Sequence, residues 1–276
     1  VQVELAAPSC TLRGHVLAYA GFASRDPAPV RRAELPFGGV AVILALDGGW
    51  LIDGEAFGSF AGGLTEVPVM TENVGAAELV QIDLTPLGAR ALLGVPGREL
   101  TGAVVALEDL LGRELPLLVE RLALTASWAA RFALLDAFVA RRVAAATPVG
   151  ADVARAFARL HETHGALRVD ALARELHCST RHLSRRFGEA VGLPPKAYAR
   201  LLRFERAAAR LRAAPCDLGR VAAECGYADQ AHFNRDFRTY TGTTPTALLA
   251  TTPPPVRDLR SDPSKTVGPP ARTVGA

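Results

Sequence analysis

Val169-Asp-Ala-Leu-Ala-Arg-Glu-Leu-His-Cys-Ser-Thr-Arg-His-Leu-Ser-Arg-Arg-Phe187 and Leu218-Gly-Arg-Val-Ala-Ala-Glu-Cys-Gly-Tyr-Ala-Asp-Gln-Ala-His-Phe-Asn-Arg-Asp-Phe237 share one pattern. A short run with apolar residues on one helical face leads into a tight turn. A capping residue follows, then a second helix with large apolar residues four apart. Each run therefore predicts a helix-turn-helix unit, and two such units on one chain can enter successive major grooves on one face of a duplex. The fold and the function of residues 150–250 follow from this reading.

In the first unit Leu172, Ala173 and Leu176 form the inner face of the leading helix. Ser179 stands where an N-cap is wanted, and Leu183 and Phe187 point inward. Thr180, Arg181, Ser184 and Arg185 are left on the outer face of the second helix. In the second unit Leu218, Val221 and Ala222 face inward, and Gly226 supplies the turn. Asp229 caps the next helix, and Phe233 and Phe237 face the core. Gln230, Ala231, Asn234 and Arg235 are left outward. Arginine can hold a guanine edge through two hydrogen bonds, glutamine and asparagine suit adenine, and serine meets several bases. Ala231 offers only apolar contact. Between the units, Pro194-Pro195 open a helix running to about Arg212, with Leu201, Phe204, Ala208 and Leu211 along one side. Its 18 or so residues span roughly 27 Å, the right order for groove faces about 34 Å apart.

These residues carry a specific resemblance. Leu172-Ala-Arg-Glu-Leu, His182-Leu-Ser-Arg-Arg-Phe187, Val191-Gly-Leu-Pro-Pro-Lys-Ala-Tyr198 and Arg203-Phe-Glu-Arg-Ala207 are its first part. Val221-Ala-Ala-Glu-Cys-Gly-Tyr227, Asp229 through Phe237 and Thr241-Gly-Thr-Thr-Pro245 complete it. The segment resembles the DNA-binding domain of the AraC/XylS family of bacterial transcription regulators. The resemblance places the base-reading positions on Arg181, Ser184 and Arg185, and on Gln230, Ala231, Asn234 and Arg235. Arg186 stands where the family usually has an apolar residue, so it either reaches a phosphate or sits at an exposed edge. Arg168, Arg200 and Arg238 are further candidates for phosphate contact.

The charge distribution agrees. A net +3 divides into +6 over residues 150–250, −5 over 1–149 and +2 after 250, and a basic module is what phosphate neutralisation requires. With 49% apolar residues in 276, the chain can build two cores. No run of about 18 uncharged apolar residues predicts a membrane span, and Val1-Gln-Val-Glu lacks the basic start and apolar core of a signal peptide.

Residues 1 to about 85 read as β. Val40-Ala-Val-Ile-Leu-Ala-Leu46 predicts a buried strand stopped by a turn at Asp47-Gly48-Gly49, with Trp50-Leu51-Ile52 as its return. Val80-Gln-Ile-Asp-Leu84 alternates as a half-exposed strand does. Helical spacing begins at Thr85-Pro86, with Leu87, Ala91 and Leu92 on one face and Gly94 as the stop. Further helices are expected at Val104–Leu111, Glu114–Leu124 and Trp128–Val143. Their stripes, Leu107, Leu110 and Leu111, then Phe132, Leu135, Phe138 and Val139, leave two readings open: packing on the β part alone, or a dimer interface. The expectation is an α+β chain. Residues 1–146 form a β-barrel or sandwich with trailing helices, and 147–250 an all-α domain of two helix-turn-helix units joined by a long helix. Residues 251–276, with Pro253–Pro255, form a disordered tail. Strands followed by helices match the family plan of an effector-binding barrel with dimerising helices. Leu84-Thr-Pro-Leu-Gly-Ala89 and Leu92-Leu-Gly-Val-Pro96 resemble one subgroup of such domains.

No cofactor or metal is expected. Residues 1–149 contain one histidine, His15, too few for a cupin-type centre. His161 and His164 lie three apart on a helix, but two ligands do not close a zinc site, so both are read as solvated surface. Cys10, Cys178, Cys216 and Cys225 form no Cys-x-x-Cys pair. Cys178 and Cys225 are read as packed thiols, and the setting as cytoplasmic, on the nucleoid through DNA. Tyr19, Trp50, Phe57 and Phe60 are candidates for lining an effector pocket or for plain core, and no residue pattern names the effector. Two function classes stand. The first is a regulator of promoter DNA, not an enzyme, with a small-molecule effector, a second copy and, for an activator, RNA polymerase as partners. The second is the same module fused to an alkyl-damage acceptor using Cys10, which requires an activated thiol.

Overall fold

In the computed structural model residues 2–26, 28–213 and 217–247 are described. Eight antiparallel strands come first: β1 (Gln2–Ala6), β2 (Val16–Ser24), β3 (Val30–Glu34), β4 (Val40–Ile52), β5 (Glu55–Phe57), β6 (Phe60–Gly62), β7 (Val69–Leu84) and β8 (Val104–Ala106). They form one sheet in the order β1-β2-β7-β4-β6-β8, with β3 on β7 and β5 on β4. The 16-residue β7 organises it, because its early residues pair with β3 and its late ones with β2, while β4 runs beside both.

Alternation along the strands sorts their side chains into two layers. Val40, Val42 and Leu44 of β4, with Val80, Ile82 and Leu84 of β7, face the helices that follow the sheet. Ile43 and Leu79, joined by Ile52 and Phe60, face the other way. The helices are α1 (Pro86–Leu93), α2 (Gly97–Leu100), α3 (Leu107–Leu111), α4 (Glu114–Leu124) and α5 (Trp128–Ala145). Thr85 caps α1 by accepting from the Gly88 amide, and Gly94 ends it at φ +79°. Leu107, Leu111, Phe132, Leu135, Phe138 and Val139 all join the layer over the sheet.

Two expectations about local structure change. Asp47-Gly48-Gly49 is not the hairpin turn: β4 continues through it with register shifts against β7, and Gly48 takes φ +82°. The hairpin turns instead at Asp53-Gly54, where both residues have positive φ, as a two-residue turn between twisted strands demands. Residues 104–106 are strand rather than helix, pairing with β6. The β-branched Val104 and Val105 suit an extended edge, and Leu107 starts the helix.

The C-terminal part is all helical: α6 (Ala151–Glu162), α7 (Val169–Glu175), α8 (Thr180–Val191), α9 (Pro195–Ala213), α10 (Leu218–Glu224) and α11 (Gln230–Thr241). Its core is a single cluster from Val153 to Tyr240, in which Phe187, Phe204, Phe233 and Phe237 are at most 1% exposed. Burying each such ring stabilises by about 1.5–3 kcal/mol. Leu64, from the loop between β6 and β7, is sunk into this same cluster. The tail expected at 251–276 lies outside the described residues, as does Cys216.

Candidate nucleic-acid interface

Each second helix of the two units is fixed at its start by a side chain. Ser179 accepts from the His182 amide at 3.1 Å, and Asp229 accepts from the His232 amide at 2.6 Å. Asp217 caps α10 in the same way, through the amides of Gly219 and Arg220. The turn of the second unit places Gly226 at φ +78°, which a residue with a Cβ rarely adopts. Of the inward sets, Leu172, Ala173, Leu183 and Phe187 are buried, as are Val221, Ala222, Phe233 and Phe237, while Leu176 and Leu218 are half-buried against the same core. The Cys225 thiol is buried and that of Cys178 half-buried against the same core.

The outward sets are where the structure discriminates. Thr180, Arg181 and Arg185 of α8 are exposed and Ser184 is half-buried. Gln230, Ala231 and Arg235 of α11 are exposed. Asn234 is half-buried, and its side-chain oxygen is buried with no hydrogen-bond partner among the described residues. Its amide must turn outward to meet a base. No ion pair engages Arg181, Arg185 or Arg235 among the described residues. Several other arginines of the module are paired within the protein. Arg186 reaches Asp152 of α6 at 3.2 Å, with 40% of its side chain still exposed. Arg200 pairs with the buried carboxylate of Asp236 at 2.9 Å and lies over the Tyr240 ring. Its guanidinium is held more firmly charged than usual, first by that hydrogen bond. Arg168 pairs with Asp170, whereas Arg238 is exposed.

His161 is not solvated surface. Its ring lies 4.4 Å from that of Phe157, and its Nε2 is 2.8 Å from the Tyr198 hydroxyl. Because that hydroxyl donates to the Gly38 carbonyl at 2.7 Å, Nε2 carries the hydrogen and donates to Tyr198. Burial, with a smaller contribution from His164, lowers the His161 pKa to about 4. His164 itself is exposed.

Residues 172–251 match the sequence family described as a helix-turn-helix domain. This segment is a helix-turn-helix domain of the AraC type. No curated protein matches the chain. Among solved structures, the C-terminal domain of AraT, a response regulator from Geobacillus stearothermophilus, is 23% identical. It covers 38% of this chain and 89% of its own, with a TM-score of 0.36. ToxT from Vibrio cholerae is 10% identical over 84% of this chain and 97% of its own, with a TM-score of 0.45. An AraC-type regulator from Chromobacterium violaceum is 24% identical over 41% and 94%, with a TM-score of 0.33. The helix-turn-helix domain makes this a DNA-binding transcription regulator.

Sequence reasoning reached the cavity of the N-terminal part only in part. A cavity of about 250 Å³ lies on the face of the sheet turned away from the helices, lined by Phe22, Ile43, Trp50, Ile52, Phe60 and Leu79 among others. Trp50 and Phe60 are in its wall. Phe57 packs beside it, and Tyr19 lies in the opposite layer, its hydroxyl 3.1 Å from Asp136. The unread signal was the strict alternation in β4, β2 and β7, which assigns Phe22, Ile43 and Leu79 to one face. Cys10 sits exposed on a single turn of 3-10 helix, where Asp136 accepts from the Ser9 amide. Among the described residues no helix is long and apolar enough to cross a membrane.

Proposed function

We propose that this chain is a sequence-specific transcription regulator that reads two successive major grooves of promoter DNA, α8 in one and α11 in the next. Arg181 and Arg185 take guanine edges, Thr180 and Ser184 adapt to neighbouring bases, and Gln230 and Asn234 take adenine. Ala231 offers apolar contact and Arg235 a further base or phosphate. The observation that carries this is the split among arginines. Those on the outward faces have no ion pair among the described residues, while Arg186 and Arg200 hold the module together.

A boundary near 146/147 then separates a sensory part from the reader, in the break between α5 and α6. The cavity beneath the sheet supports control by a small-molecule effector. Leu117 and Leu124 on α4 are 61% and 80% exposed, an apolar face that suits a second copy of the chain. RNA polymerase is the further partner if the regulator activates. Hydroxyl-radical footprinting of the full chain on promoter fragments tests the reading. Two protected patches about one helical turn apart, on one face of the duplex, are expected. Uniform, sequence-blind protection contradicts it.

A further inference from the structure

One wall of the cavity is made of two chain segments, 62–68 and 100–104, tied to each other. The Gly63 amide donates to the Ala103 carbonyl at 3.0 Å, and the Gly102 amide to the Leu64 carbonyl at 2.8 Å. Gly63, Thr65, Val67, Gly102, Ala103 and Val104 face the cavity. The packing leaves no slack between the segments: a Cβ on Gly63 would overlap the Leu100 carbonyl.

The far side of this same wall touches both recognition units. Through the first segment, Leu64 is 2% exposed within the C-terminal core. Glu66 accepts from the Tyr240 hydroxyl of α11 at 3.4 Å and lies 3.8 Å from Arg200 of α9. The second segment continues from α2, which is seated on α8. A Cβ on Gly97 would come within 2.5 Å of the Ala190 carbonyl, and one on Gly192 within 2.3 Å of the Thr101 hydroxyl. Arg98 is ion-paired with Glu189 of α8. A neighbouring part of the cavity lining, Leu35 to Phe37, leads into Gly38. The Gly38 amide donates to Glu205 and its carbonyl accepts from Tyr198, both on α9.

The cavity also limits its occupant. At about 250 Å³ it exceeds the roughly 150 Å³ apolar cavity that takes up benzene and falls below the roughly 300–1,000 Å³ of sites for drug-sized ligands. Its sheet side is aromatic and branched aliphatic, while Arg32, Glu34 and Asp53 bring charges of both signs to the lining. Nothing in that balance selects an ion.

We propose that the effector is a neutral one-ring compound, and that by displacing this shared wall it acts on α8 and α11 together. It thereby sets the separation at which they meet successive grooves. The proposal rests on the reading of the cavity as the effector site. The two segments are tied at Gly62–Val104, Gly63–Ala103 and Gly102–Leu64, so an occupant that moves segment 62–68 at those points also moves 100–104, and with them the contacts on both recognition units.

The test uses the full chain, with operators whose two blocks are set one base pair closer or farther apart. The probe is 4-fluorobenzyl alcohol, followed by fluorine NMR. Ala41→Phe fills the cavity from β4, and Ala41→Leu is the milder version should the larger side chain prevent folding. Expected is a change of about tenfold in the affinity ratio between spacings, produced alike by the probe and by the filling variant. In the Arg98→Ala/Glu66→Gln pair the probe should bind as before, within twofold, while the spacing ratio no longer responds. If affinity changes by one common factor at every spacing, or the double variant responds like the unaltered chain, the shared-wall proposal falls and the effector reading stands. If the probe does not bind and neither filling variant alters DNA binding, the effector reading itself fails.

Discussion

The two recognition units have one architecture and different chemistry. The first turns Arg181 and Arg185 outward, without ion pairs among the described residues, and ties only Arg186 inward, to Asp152. The second turns out Gln230, Ala231 and Arg235, keeps Asn234 half-buried, and places the carboxylate of Asp236 at 5% exposure, where Arg200 pairs with it. Attachment differs as well. The first unit is seated on α2 by close glycine contacts at Gly97 and Gly192, whereas the second meets the loop between β6 and β7, where Tyr240 donates to Glu66. In the proposed reading the first unit offers two arginines to the duplex, and the second offers two neutral amides and one arginine. Which role a given arginine takes depends on whether a carboxylate stands within the protein to claim it.

The strongest way to break the comparison is in the cores. Phe187→Ala and Phe237→Ala each remove a ring of 0% exposure and should cost about 3–5 kcal/mol, read by urea unfolding. If one costs far less than the other, the two units are not packed alike. Next comes the contrast between inward arginines. Arg200→Ala strands the Asp236 carboxylate and should cost about 3 kcal/mol. Arg186→Ala leaves Asp152 with 23% of its side chain in contact with solvent and should cost under about 1 kcal/mol. Similar losses for both would erase the distinction drawn between the pairs.

A third contrast is in pH. His161 supports the first unit, and its pKa of about 4 in the folded chain lies below the ordinary 6.5. The folded state therefore binds the proton less readily than the unfolded one. Its contribution is whole above pH 6.5 and is lost as pH falls toward 4, by roughly 3 kcal/mol. The melting temperature of His161→Gln should fall less between pH 7 and 4.5 than that of the unaltered chain. Identical slopes would remove His161 from the account. Smaller still is the effect of salt. Arg185→Ala should lower the slope of log affinity against log salt by about 1 if it meets a phosphate as well as a base, whereas Gln230→Ala should leave the slope unchanged.

Much of the C-terminal part was legible because its signals are local. Ser179 and Asp229 cap the helices they precede, Gly226 has the positive φ its turn needs, and the i, i+4 phenylalanines point inward. In the N-terminal part, Thr85, Pro86 and Gly94 marked α1 for the same reason. The misreadings all depend on partners distant in sequence. Asp47-Gly-Gly has the composition of a turn, but β7 pairs across it and makes it a bulge. Val104–Ala106 reads as the start of a helix until β6 supplies a strand to join. His161 was misjudged because Tyr198, whose hydroxyl its Nε2 meets, is 37 residues away, and the Arg186 pair with Asp152 was unseen because Asp152 is 34 residues away. The cavity wall was invisible for the same reason: its two segments, 62–68 and 100–104, are joined only in the fold.

The central claim is that two chemically distinct units each read their own block of sequence. Selection of binding sites by the full chain from random duplexes, beside Arg185→Ala and Asn234→Ala, tests it most directly. The account predicts two blocks about one helical turn apart. Arg185→Ala should relax only a guanine-containing block, and Asn234→Ala only an adenine-containing one. A single block, or the same block relaxed by both variants, would contradict it.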